Sequence, residues 1–121
     1  MELERNLNEH GLTPVSVIYH IASAEDWERA RSAGEYRVST RGRTLEEEGF
    51  IHCSRASQVA GVADRFYRGV DHLVLLAIDE RLVRSEVRYE SVPGAGESFP
   101  HIYGPLDVAA VVSAEPFAVG G

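Results

Sequence analysis

Histidine is the side chain whose charge changes most readily near neutral pH, and five are spread along this 121-residue chain. Three of them interrupt apolar segments: His20 in Val-Ile-Tyr-His-Ile-Ala, His52 in Gly-Phe-Ile-His-Cys-Ser, and His101 in Phe-Pro-His-Ile-Tyr-Gly. An unpartnered imidazole in such surroundings costs roughly 1–3 kcal/mol of desolvation. Each ring therefore needs an internal partner or a polar pocket. For any one of them a core histidine donating to a backbone carbonyl would suffice, but three, each with a hydroxyl or carboxylate nearby, point to one shared cleft. His10 and His72, the latter beside Asp71, stand in polar stretches and read as solvated.

The neighbours of these rings extend the candidate set. Ser54 lies two residues after His52 and shares its strand face if the strand lasts that long; its other role is to cap a following helix. Cys53 points away from both and reads as a small buried hydrophobe. The stretch 96–106 holds Glu97, His101 and Tyr103 among prolines and glycines, and an extended backbone would put His101 and Tyr103 on one face. Glu97 fits a catalytic carboxylate or a solvated loop acid. Arg65 could clamp a phosphate or carboxylate, or pair with Asp64 or Asp71. Three histidines and a carboxylate are adequate zinc ligands, yet there is no His-Glu-x-x-His and no Cys-x-x-Cys, so no metal is assigned. Gly94-Ala95-Gly96 lacks the strand-turn-helix context of a dinucleotide fingerprint.

Positioning these groups falls to short elements. Residues 17–22 alternate as a strand, with Ile18, His20 and Ala22 on one face and Tyr19 and Ile21 on the other. Ser23 caps a helix over about 24–33 that Gly34 closes. The charged segment 39–48 has no apolar stripe and suits a loop or one poor helical turn. A short buried strand covers 49–53. A second helix follows, with Val59, Val62, Ala63 and Phe66 at helical spacing, Ser54 or Ser57 as its cap and Gly69 as its end. Leu73–Ile78 reads as a central strand covered on both faces, Val87–Tyr89 as a further strand and Val108–Val112 as the last. Strands interrupted by only two good helices give an α+β domain. Residues 1–15 are expected to form a flexible leader and 16–121 the single domain.

Composition narrows the function classes. All 12 basic residues are arginine, which excludes a Schiff-base lysine and a P-loop lysine. A net charge of −7 disfavours nonspecific nucleic-acid binding, although a local arginine cluster could hold a small anion. A single cysteine excludes an intramolecular disulfide. With neither a membrane-length apolar run nor a signal sequence, a cytoplasmic location is expected.

Together, the series Ile18–Ala22, Trp27, Glu48–Ser54, Gln58, Leu73–Leu76 with Ile78-Asp79, and Phe99–Leu106 resembles the domain of unknown function 952 family over about residues 17–113. The resemblance implies a compact fold similar to the ADP-ribosyltransferase catalytic domain, in which a split pair of small β-sheets grips NAD. It implies that His20 meets the NAD ribose, that His52 with Ser54 and Tyr103 orient the nicotinamide, and that Glu97 or His101 stabilises the oxocarbenium carbon or activates an acceptor. Glu97 departs from the pattern by lying in a loop. NAD is thus the expected small-molecule substrate, with the protein acceptor unknown; a noncatalytic ligand-binding or protein-binding module and a metal-assisted hydrolase are the rivals.

Overall fold

The computed structural model describes residues 16–119; the expected leader, with His10, lies outside them. In chain order the elements are β1 (Val17–Ser23), α1 (Ala24–Ala33), β2 (Glu35–Tyr36), β3 (Val38–Thr40), β4 (Arg43–Thr44), α2 (Leu45–Glu48), β5 (Ile51–His52), a 3-10 turn (Ala56–Gln58) leading into α3 (Val59–Phe66), β6 (Leu73–Asp79), β7 (Glu86–Ser91), β8 (Ser98–Tyr103), β9 (Leu106–Asp107) and β10 (Val111–Phe117).

The uninterrupted apolar run of β6 is explained by its neighbours. It is the middle strand of an antiparallel sheet ordered β1-β6-β10, with His20 opposite Leu76 and Val17 opposite Asp79. One face of this sheet carries Ile18, Ala22, Leu76 and Ile78 into the main core with Trp27 and Ala30 of α1. The other face carries Ile21 and Leu73 against Val59, Ala63 and Tyr67 of the α3 region. A second antiparallel sheet, β5-β8-β7, turns Ile51 and Ile102 toward the main core. Because strand side chains alternate, the residues between them, His52 and His101, stand on its opposite face, directly paired in register.

A backbone bridge joins the two sheets. Tyr19 and Ser54 exchange backbone hydrogen bonds of 2.8 and 2.7 Å, while the Cys53 N–H donates to Pro100 O at 3.0 Å. Residues 53–54 thus cross from one sheet to the other, and the sheets part beyond that bridge. The result is an α+β domain of several small antiparallel sheets with two main helices.

Ser23 and Gly34 bound α1 as the sequence predicts: the Ser23 hydroxyl accepts from Asp26 N–H at 3.0 Å and Gly34 takes a left-handed conformation at φ 92°. Elsewhere the structure departs from the expectation, although the helical turn expected within 39–48 is present. Residues 38–44 form a β-hairpin and 45–48 a capped helical turn, in which Thr44 Oγ1 accepts from Glu47 N–H and Glu47 Oε1 accepts from Thr44 N–H. Two buried residues, Ser39 and Leu45, anchor this segment, and its charges pair locally, as in Arg43–Glu48 at 2.7 Å; a stripe is unnecessary for so short an element. Neither Ser54 nor Ser57 caps α3. Its entry is the 3-10 turn, where the Gln58 side chain accepts from Arg55 N–H at 2.8 Å. The last strand starts later than expected and runs to Phe117, because 108–110 form another 3-10 turn.

Candidate functional site

Where the sheets part, a cleft of about 570 Å³ opens. Tyr19, His20 and Ile21 of β1 form one wall, residues 52–54 the floor, and Val62 and Arg65 of α3 another wall; the β3–β4 turn contributes Thr40 and Arg41, and the β7–β8 connection Glu97, with Phe99 and His101 beyond it. The Thr40 and Tyr67 hydroxyls lie 3.2 Å apart and tie the β3 edge to the end of α3. Of the residues predicted from sequence, His20, His52, Ser54, Arg65, Glu97 and His101 share this cleft, and Tyr103 does not line it.

His20 is buried, at 3% exposure, and both ring nitrogens are engaged within the protein. Its Nδ1 lies 2.6 Å from the His52 carbonyl and its Nε2 2.8 Å from the Tyr36 hydroxyl. A carbonyl can only accept, so Nδ1 carries the proton and Nε2 accepts from Tyr36 O–H. Burial pushes its pKa down to about 4, so the ring is neutral at pH 7. His20 stitches β1 to β5 and offers the cleft its ring, with no spare donor. That revises the ribose-holding role expected of it.

On the polar face of the second sheet, His101 is 4% exposed and stacks on Phe50 with ring centroids 4.2 Å apart. Its Nδ1 lies 2.7 Å from Glu90 Oε1, and the same oxygen accepts from the Tyr103 hydroxyl at 2.6 Å. These two hydrogen bonds hold the Glu90 carboxyl below its usual range. Among the described residues, His101 Nε2 is the one buried side-chain nitrogen or oxygen without a hydrogen-bond partner. His52, half-buried, sits edge-on to His101 at 5.3 Å between centroids, with Glu48 Oε1 3.6 Å from its Nε2. Burial, then the charge of His101, lowers its pKa, against a smaller raising influence from Glu48. Tyr103, expected to orient the ring, lies away from the cleft: two residues along β8 carry it about 7 Å beyond His101, and its hydroxyl donates to Glu90.

Glu97 is exposed on the loop and accepts from Gln58 Nε2 at 2.9 Å. Gln58 also donates to Ser98 O at 2.8 Å, so it pins the β7–β8 connection over the cleft. Ser54 is buried in the floor. Cys53 is buried as expected, and burial pushes its thiol pKa up. Asp64 pairs with Arg68 rather than with Arg65. Eight of the described arginines form ion pairs with carboxylates. Arg41 and Arg65, both at the cleft, have no carboxylate partner among the described residues. Among the described residues no group of three or more histidine, cysteine, aspartate or glutamate side chains could hold a metal ion, and no described helix is long and apolar enough to cross a membrane.

Glu90, Tyr36 and Arg41 are not among the residues expected at the site. Glu90 had a usable signal: a hairpin turning at 93–96 pairs β7 with β8, and Arg88, Glu90, Phe99, His101 and Tyr103 then fall on one face. Tyr36 had none, since β2 is two residues long and meets His20 only through the tertiary fold.

A family model described as a protein of unknown function (DUF952) matches residues 21–114. No curated protein matches the chain. Among solved structures it is similar to protein CC0527 from Caulobacter crescentus. The crystal structures of that protein and of a double mutant of it are each 31% identical to this chain and superpose with a TM-score of 0.76, covering 88% of this chain and 90% of theirs. The solution NMR structure gives 0.71 over 87% of each chain, also at 31% identity. The α+β arrangement described above is thus that of CC0527, and the chain belongs to the DUF952 family.

Proposed function

We propose that the cleft binds NAD or a related ADP-ribose compound and that the protein transfers or hydrolyses its ADP-ribosyl group, within a fold organised like an ADP-ribosyltransferase domain. The observation that carries this reading is the meeting of two arginines lacking described carboxylate partners, Arg41 and Arg65, with three imidazoles on one cleft. In a chain of net charge −7, leaving two guanidinium groups there favours an anionic ligand, and a pyrophosphate suits their bidentate geometry. The volume of about 570 Å³ is of the size that encloses a small molecule. The parting of two small sheets at the Tyr19–Ser54 bridge is where such a fold would seat its dinucleotide.

Calorimetry with NAD, ADP-ribose and nicotinamide tests the binding. NAD and ADP-ribose should bind, and Arg65→Ala should weaken both by about tenfold or more, the worth of a charge-assisted hydrogen bond. Absence of heat with all three at millimolar concentration sinks the proposal. A noncatalytic module that binds a small phosphorylated ligand is the second reading, favoured because His20 and Glu97 are already hydrogen-bonded to other groups of the protein. Binding of ADP-ribose and NAD with no release of nicotinamide would select it.

A further inference from the structure

We infer, on the reading of the cleft just proposed, that Glu90 and His101 form a general-base pair: Glu90 positions the imidazole, and His101 Nε2 removes a proton from the water that attacks the ribosyl carbon.

The contrast with His20 is what separates this ring from a structural one. His20 spends both nitrogens inside the protein. His101 spends one, on Glu90 at 2.7 Å, and keeps Nε2 buried without a partner although the residue contributes to the cleft wall. An orphaned buried acceptor costs stability, so the fold bears that cost where a ligand or water can complete the site. The ionised Glu90 carboxylate accepts from Nδ1–H, which leaves the Nε2 lone pair as the basic position. The Tyr103 hydroxyl, donating to the same oxygen at 2.6 Å, fixes the carboxylate. Phe50 stacked at 4.2 Å fixes the ring plane.

The step balances without a further reagent. Water oxygen forms a bond to the anomeric carbon of the ribose as the bond to the nicotinamide nitrogen breaks. That electron pair passes to the pyridinium ring, leaving neutral nicotinamide. The water proton moves to His101 Nε2, and the imidazolium is stabilised by Glu90 until it returns the proton to solvent. The charged and titratable groups around His101 are Glu90 and Arg88 from β7, His52 from β5, with Glu48 behind it, and Tyr103 on the same strand. Arg88 is taken up by Glu86 at 3.0 Å and lies over the Tyr103 ring at 4.4 Å. Glu90 is thus the carboxylate bonded to the ring.

The test combines NAD calorimetry, nicotinamide release and NMR of the imidazole nitrogens, on the full chain and on His101→Gln and Glu90→Gln. Nicotinamide release should fall about a hundredfold or more in His101→Gln and about tenfold or more in Glu90→Gln, with NAD affinity within about threefold of wild type. The neutral His101 should carry its proton on Nδ1 in the wild type and on a mixture of nitrogens in Glu90→Gln. Wild-type turnover in His101→Gln, NAD binding without release in the wild type, or a proton on Nε2 of the neutral ring would each overturn the inference. If NAD, ADP-ribose and nicotinamide all fail to bind, the ligand reading falls by itself, and the nitrogen protonation still decides whether the pair exists.

Discussion

Lowering the pH from neutrality toward 4 forces a choice on His20. Its ring is 3% exposed, and the bond from Tyr36 occupies the nitrogen that a second proton would need. The unfolded chain takes up that proton near the ordinary 6.5, whereas the folded chain resists until about 4. Between those values the unfolded state binds more protons, so stability rises with pH there. The contribution of His20 is complete above about 6.5, is lost as the pH falls through the interval, and declines no further below about 4. A gap of about 2.5 pH units, at about 1.4 kcal/mol each, gives a loss of about 3 kcal/mol, a large share of the roughly 5–15 kcal/mol that holds a domain together. Urea unfolding at intervals from about pH 7.5 to 4 measures it. Comparison with His20→Gln isolates the imidazole, because the carboxamide can donate to His52 O and accept from Tyr36 without titrating, while the other acidic groups affect both proteins alike. The wild type should lose about 3 kcal/mol relative to the variant across this interval. A stability difference that stays constant with pH would refute the assignment of a buried neutral ring.

Three further expectations follow from local geometry. Gly104→Ala places a Cβ against Ser85 Oγ and 2.9 Å from its Cβ, on a backbone with φ 151°; it should cost about 2 kcal/mol or more, read as a lowered urea midpoint. Thr44→Ala removes half of the capping box at α2 and should cost about 1 kcal/mol, measured by thermal melting; an unchanged midpoint would show that Leu45 alone holds the turn. The Cys53 thiol, buried and shifted up, should react with Ellman's reagent only as fast as the chain opens, and labelling at the rate of a small free thiol in native buffer would contradict that burial.

Much of the scaffold was legible because local patterns carry it. The alternation at 17–22, the Ser23 cap with its Gly34 stop, and the unbroken apolar run of Leu73–Ile78 each answer to a period or a backbone requirement that neighbouring residues satisfy. In 39–48 the helical turn was legible and the hairpin before it was not: two strands of two or three residues are too short to show a period, and the buried Ser39 and Leu45 that anchor the segment are visible only against their neighbours. At Val108–Val112 the strand begins only at Val111, because a three-residue 3-10 turn is too short to show a period that would separate it from the apolar run it enters.

The same division runs through the site. Sequence alone determined that His20, His52 and His101 each stand in an apolar segment and so need partners, because desolvation of an imidazole is a property of the residue and its near neighbours. Which partners they find is a matter of distance across the fold. His20 meets Tyr36 and the His52 carbonyl and is used up; His101 meets Glu90 across a strand pair and keeps one nitrogen free. That difference between two similar-looking histidines arises from strand register and from the point at which two sheets part, and only the tertiary structure decided it.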